Sequence, residues 1–458
     1  MISRQEILGF ARTLQLAADV VEKDYVLGWL LAGIYGHPEL KDAWRFKGGT
    51  CLKKCYFETY RFSEDLDFTI TLPDHIDEQY LRDAFEAVTE SVHDQSGIEI
   101  PPDTISFEVY ENPRGNKNVL GKIGYRGPLQ PRGAIPKIKL DLTNDERVVL
   151  DPVGQAVHHP YSDMPAGGIQ ALCYSYEELF AEKLRALTER LRPRDLYDVI
   201  HFFRHDDGHC DRELVVRTLG SKCDFKGIAV PTMDDLRNRP EIAELEAEWS
   251  NMLKHQLPKL PPFTSFIDEL PDVFEWLYGY APKEKAPVYP VTADVDTTWQ
   301  PPASVTAWEP QTSLEIIRFA AANHLCVDLV YAGKRRIIEP YSLRRTRDGN
   351  IILHAVRHEN GRSRSYRMDR IQGADATDIP FAPRYAIELT PQGPLSIPST
   401  ARTAASRGFP AGPRYVVECP SCGKRFSRKN YSTQLNPHKD KSGYPCYRRT
   451  GYIIETKY

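Results

Sequence analysis

The sequence predicts an α+β fold over residues 1–280, a small β-barrel over 311–390 and a metal-stapled tail over 414–458. Three observations lead there. Between residues 44 and 155, strand-like alternation interleaves with helical spacing, and residues 175–280 are mostly helical. Between residues 311 and 390, short alternating runs are separated by the turn signals Asp348-Gly349 and Asn360-Gly361. The tail carries the pair Cys419-x2-Cys422 and, further on, His438 and Cys446. Proline-rich seams separate the three segments. Residues 281–310 (with Pro282, Pro287, Pro290, Pro301, Pro302 and Pro310) and residues 391–413 read as extended linkers, because proline fixes φ and removes a backbone donor.

In chain order, residues 1–40 have helical spacing. FKGG runs from a short apolar strand into glycine, and TCLKKCYF continues as a helix. LDFTITL alternates as a strand, LRDAFEAVTESVHD is a helix, and IPKIKLDLTN alternates with period two. YEELFAEKLRALTERL and RDLYDVIHFFRH are helices, and the acidic run over residues 241–257 reads most simply as a solvated helix. SLEIIRFAAANH opens the barrel segment as a helix, before the strands VDLVYAG, RIIEPYSL and NIILHAVRH.

The chain has 458 residues and a formal net charge of −4. That total hides a split. Residues 311–458 hold 25 Lys+Arg against 12 Asp+Glu, a net of +13, which leaves −17 for residues 1–310. An acidic part can hold metal ions and a basic part a polyanion; the plainer alternative is two differently solvated surfaces. No apolar run is long enough to span a membrane, and the N-terminal segment has neither the basic nor the apolar region of a signal peptide. A cytoplasmic protein is expected. Nine cysteines, an odd number in a long chain, argue against a disulfide framework.

The first constellation is Lys47-Gly48-Gly49-Thr50, where a strand becomes a helix. Glycines permit a tight turn, and a helix start offers free N–H groups to a phosphate; alone, such a triplet is an ordinary turn. Asp65-Leu66-Asp67 follows. On a strand, residues two apart share a face, so Asp65 and Asp67 project together while Leu66 and Phe68 face the other way. Two carboxylates on one face repel unless a cation sits between them, and Mg²⁺ is the natural occupant. Asp141 interrupts the apolar alternation of KIKLDLT. Read alone it is a turn cap; beside the pair and the turn it is a third ligand.

A G-G-T turn, a D-x-D pair and a later strand Asp between apolar residues resemble the polymerase-β-like nucleotidyltransferase superfamily. FKGGTCLKKCYFETYRFSEDLDFTI is similar to its AbiEii/AbiGii toxin branch, the toxins of type IV toxin–antitoxin and abortive-infection (antiviral defence) systems. VVEKDYV at residues 20–26 and YEELFAEKLRALTERLRPRDLYDV at residues 176–199 extend the likeness over roughly residues 15–205. The resemblance implies a polymerase-β-like nucleotidyltransferase core with a helical C-terminal part, and it assigns roles by position. Lys47, Gly48, Gly49, Thr50 and Ser63 would cradle the nucleotide. Asp65 and Asp67 would bind catalytic Mg²⁺, with Asp141 completing the site and serving as base. Lys183 would neutralise the triphosphate with Arg185 beside it, and Asp195 would be the last catalytic acid. The alternative for Lys183 and Arg185 is a solvated helix face, and for Arg192, Arg194 and Asp198 a structural ion network. Lys23 and Asp24 read as scaffold. The implied reaction moves NMP from an NTP to an acceptor hydroxyl, of RNA such as the tRNA acceptor end, with a cognate antitoxin protein as partner.

E-P-Y-x-L followed by R-x-Y-R-M-D-R-I resembles the WYL domain, an Sm-like barrel of bacterial regulators and defence proteins that senses ligands, often nucleic acid or nucleotides. The matching residues are Pro340, Tyr341, Leu343, Arg364, Arg367, Asp369, Arg370 and Ile371. The namesake tripeptide is replaced by Ile351-Ile352-Leu353. Arginine outnumbers lysine twelve to one over residues 311–400, which favours bidentate phosphate contacts; a structural barrel with a solvated rim is the alternative.

Cys419, Cys422, His438 and Cys446 supply the four ligands of a tetrahedral Zn²⁺, so a zinc-ribbon-like tail is expected, stapled because it has little apolar content of its own. Its ten Lys+Arg, interleaved with Phe426, Tyr431, Tyr444 and Tyr447, suit RNA; a ribbon for protein contacts is the alternative. His201, His205, His209, Cys210 and Cys223 fit no zinc spacing, and Cys51 and Cys55 read as core-packing thiols. Two other functions stay open: a non-enzymatic nucleic-acid-binding regulator with a degenerate transferase core, and a transferase acting on protein.

Overall fold

In the computed structural model the chain divides into two compact units, residues 1–399 and 400–458. The structure describes residues 1–112, 114–130, 133–205, 210–237, 239–280, 283, 286–290, 294–296, 299, 313–389, 414–428, 432–440, 442–443 and 445–457. The expected linker 391–413, most of 281–310, His209, Tyr431 and Tyr444 lie outside the described residues.

The first unit contains a mixed seven-stranded sheet. Its strands are β1 (Trp44–Lys47), β2 (Asp65–Ile70), β3 (Ile105–Glu111), β4 (Lys117–Gly124), β5 (Lys137–Thr143), β6 (Val153–Ala156) and β7 (Gln170–Cys173), in the order β3-β4-β5-β2-β1-β7-β6. β2 runs parallel to β5 and β1 parallel to β7; the other neighbours are antiparallel.

The helices are α1 (Arg4–Leu14), α2 (Ala18–Gly36), α3 (Leu40–Ala43), α4 (Gly48–Cys51), α5 (Glu78–Ser96), α6 (Tyr176–Arg190), α7 (Pro193–Arg204), α8 (Arg212–Lys226), α9 (Met233–Arg237), α10 (Ile242–Leu253), α11 (Thr264–Ile267), α12 (Leu270–Leu277) and α13 (Leu314–Ala322). Local signals explain their ends. Ser3, Asp77, Ser175 and Asp211 cap α1, α5, α6 and α8 by accepting a hydrogen bond from the amide three residues on, and Pro193 opens α7. α4 continues into one π turn, Leu52–Tyr56, closed by the Phe57 amide on the Leu52 carbonyl at 2.7 Å. The acidic helix α10 is not merely solvated: Leu245, Trp249 and Leu253, spaced by four, are buried on one stripe between its glutamates.

The barrel segment is a five-stranded antiparallel sheet of β8 (Leu325–Tyr331), β9 (Lys334–Arg345), β10 (Ile351–Arg357), β11 (Ser363–Arg367) and β12 (Ile371–Pro380), in the order β11-β10-β9-β8-β12. Part of the expected linker packs on it, with Tyr289 buried among Tyr341, Val356 and Phe381 and Val295 bridged to Thr346. One hydrophobic cluster runs from the seven-stranded sheet through Leu314, Ile317 and Phe319 to Leu343 and Leu353.

The second unit has a three-stranded sheet of β13 (Arg414–Glu418), β14 (Arg425–Arg428) and β17 (Tyr452–Lys457), and a two-stranded ribbon of β15 (His438–Lys439) and β16 (Pro445–Cys446). Among the described residues no helix is long and apolar enough to cross a membrane.

Candidate active site

β2 and β5 pair in a register that sets Asp67 opposite Asp141 and Asp65 opposite Lys139. Leu66, Phe68, Leu140 and Leu142 point into the core. Alternation therefore leaves Asp65 and Asp67 half-buried on the opposite face, with Asp141 at its open edge. On the other side of β2, β1 brings Lys47 opposite Asp67. The chain then turns at Gly48, whose φ is +79° and whose Cα lies so near Asp67 that a Cβ would sit 2.0 Å from Oδ2. A Cβ on Gly49 would meet Arg61 Nη2 at 2.7 Å and Ser63 Oγ at 3.0 Å. Thr50 Oγ1 donates to the Asp65 carbonyl at 2.5 Å. The glycine turn is thus stitched to both aspartates of the pair, with Ser63 against it.

Burial and then the charge of Asp141 push the Asp67 carboxyl up to about 6, against the pull of Lys47 and Lys183. Asp141 is raised as well, first by the protein packed around it and also by Asp65, while Lys47 and Arg190 oppose the shift. The three carboxylates do not form a tight cluster. Among the described residues only two sets of three or more ligand atoms lie within 4.8 Å of one another, and both are built on cysteines.

Helices α6 and α7 bring the cations. Lys183 Nζ stands 2.8 Å from Asp198 Oδ2 and 3.5 Å from Asp195 Oδ1. Asp198 is fully buried. It is held in a bidentate pair with Arg61 at 2.8 and 2.9 Å and takes the Tyr60 hydroxyl. Burial alone would raise its carboxyl, yet Arg61 and Lys183 outweigh burial and hold it below the usual carboxylate range. Asp195 is also fully buried, beneath Arg190, which grips it at 2.7 and 2.9 Å. Its carboxylate is held between Arg190 and Lys183. Arg185 is engaged by Glu146 at 3.0 Å and by Glu189. Lys47 is paired with Glu182 at 3.2 Å, and Lys222 joins Glu182 to Glu178.

Sequence reading missed Arg61, Arg190 and Glu182; it singled out neither Arg for a pairing role, and Glu182 was passed over. Arg194 stands near Asp65 and Glu64 with a buried Nε that has no partner among the described residues. The VVEKDYV run acts as a clamp from α2. Lys23 pairs with Glu64 at 2.5 Å, Asp24 with the buried Lys54 at 2.9 Å, and Glu22 accepts the Leu129 amide at 2.5 Å. His201 and His205 stack at 3.9 Å and both are buried, and His205 Nδ1 bonds the His201 carbonyl. Cys51 and Cys55 are buried with Cys173, their sulfurs within 4.8 Å, and none of the nine cysteines is in a disulfide.

In the second unit, Cys419, Cys422, His438 and Cys446 bring one ligand atom each within 4.8 Å of the rest. Cys419 and Cys446 sulfurs are 3.8 Å apart, and Cys422 Sγ is 3.4 Å from His438 Nε2. His438 Nδ1 bonds the Asn436 carbonyl at 2.9 Å, which turns Nε2 toward the sulfurs. This set could bind zinc.

A mixed sheet with paired strand aspartates under a glycine turn defines a nucleotidyltransferase-type core. The chain belongs to the nucleotidyl transferase AbiEii toxin family of type IV toxin–antitoxin systems, whose model matches residues 29–278, more than half of its length. Residues 312–376 match the WYL domain. Membership implies an enzyme of nucleotidyl transfer, an NTP substrate and a cognate antitoxin. Among solved structures, the chain is similar to MenT4, a nucleotidyltransferase toxin from Mycobacterium tuberculosis H37Rv, at 19% identity over 61% of this chain and 90% of that one, with a TM-score of 0.42. It is also similar to JHP933 from Helicobacter pylori, at 16% identity over 58% and 94%, with a TM-score of 0.37. No curated protein matches the chain.

Proposed function

We propose that this toxin transfers NMP from an NTP to an acceptor hydroxyl on RNA, such as the tRNA acceptor end, as an abortive-infection device. The observation that carries the chemical part is the parallel register of Asp67 with Asp141, closed by a glycine turn resting on Asp67. Hard carboxylate oxygens on one face suit a divalent magnesium ion, which would offset the burial and the Asp141 charge that raise the Asp67 carboxyl. Asp65, Asp67 and Asp141 would hold it. When bound, it would neutralise phosphate oxygens and lower the pKa of a hydroxyl.

The chain's own groups supply the rest. The Gly48-Gly49-Thr50 backbone, with Lys47 and Ser63 beside it, lets the phosphates approach closely. Lys183 and Arg190, held by Asp195 and Asp198, meet the triphosphate charge, as does Arg194. Asp141, at the open edge of the aspartate face, is the better placed to take the proton of the acceptor hydroxyl. Arg185 is spent on Glu146 and Glu189, so it supports α6 and does not contact phosphate. The arginine-rich WYL module and the zinc-holding tail carry the positive charge that an RNA acceptor requires.

The test is transfer of label from each NTP to total RNA with and without Mg²⁺. Asp65→Ala and Asp67→Ala are expected to lower transfer by roughly 10²-fold or more without unfolding the protein. Persistent labelling in the double variant would end the assignment. RNase-resistant label would redirect the acceptor to protein.

A further inference from the structure

Helix α13 opens the WYL module, yet all nine of its residues are buried, including Glu315 and Arg318. A helix covering a stand-alone barrel would keep one polar face wet. Here its second face lies against the transferase. The Arg318 guanidinium, 2% exposed, meets the Glu58 carboxylate at 3.1 and 3.3 Å and Glu315 at 3.2 Å, and its Nε donates to the Leu389 carbonyl at 3.1 Å. Two further bonds flank this pair. The Tyr197 hydroxyl donates to Asn323 Oδ1 at 2.8 Å, and Arg204 donates to the Asn323 carbonyl at 3.2 Å.

Glu58 is tied to the nucleotide turn. It follows directly on the α4–π helix that begins at Gly48, and its carbonyl accepts from Lys53 of that helix. Arg61, three residues on, packs against Gly49 and grips Asp198, and Ser63 and Asp65 come next. The segment between the glycine turn and the D-x-D pair is therefore pinned in its middle by a side chain from the WYL module.

We propose that Arg318 is a positioning residue for the transferase: through Glu58 it fixes residues 57–64, and with them the Gly48–Thr50 turn on Asp67. The WYL module is then part of the framework of the nucleotide site. Without the guanidinium the buried Glu58 carboxylate loses its closest cation, and the water or proton drawn in to compensate displaces the backbone that carries it. The kinetic consequence rests on the nucleotidyl-transfer reading above; the structural one does not.

The experiment uses the full-length chain and two variants, Arg318→Met and the double variant Glu58→Gln/Arg318→Met, which removes the Glu58 and Arg318 charges together. Amide hydrogen exchange is followed over residues 48–65, alongside KM and kcat for NTP. In Arg318→Met, exchange over residues 48–65 is expected to speed up about tenfold while α5 and the tail keep their rates. The NTP KM is expected to rise about tenfold, more than kcat falls. Arg318→Lys should restore part of both. If Arg318→Met does not fold, the double variant is read in its place with the same expectation. Wild-type exchange over residues 48–65 in a folded variant overturns the proposal, as does an increase shared equally by α5. A wild-type chain that transfers no nucleotide sinks the functional reading, and the exchange result still decides this one.

Discussion

Asp67 sits where three demands meet: the Lys47 ammonium on one side, the Asp141 carboxylate on the other and the Gly48 backbone directly against it. Its carboxyl, at about 6 in the folded chain, binds protons more tightly there than in the unfolded chain. The sign follows from linkage. This group costs the fold nothing at pH below about 4, weighs increasingly against it as pH climbs toward about 6, and holds a constant cost above. In metal-free buffer Asp67→Asn is therefore expected to raise Tm at pH 8 and leave it unchanged at pH 3. An equal change at both pH values would refute the shift. The pair was legible in the sequence because strand alternation alone puts residues two apart on one face. Arg61 and Arg190 were not, because an arginine's partner is set by which distant helix returns to it, and Asp198 and Asp195 arrive only when α7 packs.

At the scale of elements, α2 behaves as a brace. Its consecutive Glu22, Lys23 and Asp24 reach three separate segments around the aspartate face. The Asp24–Lys54 pair is buried on both sides, so Asp24→Asn is expected to cost about 3–5 kcal/mol, read from urea unfolding, by leaving Lys54 charged in the core. A cost below about 1 kcal/mol would show the pair to be solvated in solution. Most elements could be read from their letters: β5 keeps strict alternation in its burial, and α5 and α6 start at side-chain caps. The acidic α10 misled because its three apolar anchors are interleaved with three glutamates. α13 was legible as a helix, but periodicity within LEIIRFAAA says nothing of what would cover its second face.

At the scale of the whole molecule, the four candidate metal ligands of the tail belong to the second unit. The tail's three sulfurs and His438 are preassembled, so the purified chain is expected to hold one zinc equivalent, lost in Cys446→Ser, with the main unfolding transition of residues 1–399 unchanged. A wild-type zinc content in that variant would remove Cys446 from the site. Deleting residues 414–458 is expected to weaken RNA capture about tenfold or more at low salt and leave the NTP KM alone; unchanged RNA affinity would reassign the tail to protein contacts. The charge split could be read from composition, but not that its boundary at residue 310 falls inside the first unit, where the basic barrel segment shares a core with the acidic transferase. The parallel pairing of β2 with β5 also bears on how such a chain is made. A nascent polypeptide leaving the ribosome carries Asp65 and Asp67 long before Asp141, and Lys183 and Asp198 later still. Translation that stops early releases fragments that hold the D-x-D strand without its partner carboxylate or its cations. Toxicity would then be withheld until the chain has grown beyond Asp198, well after the D-x-D strand has left the ribosome.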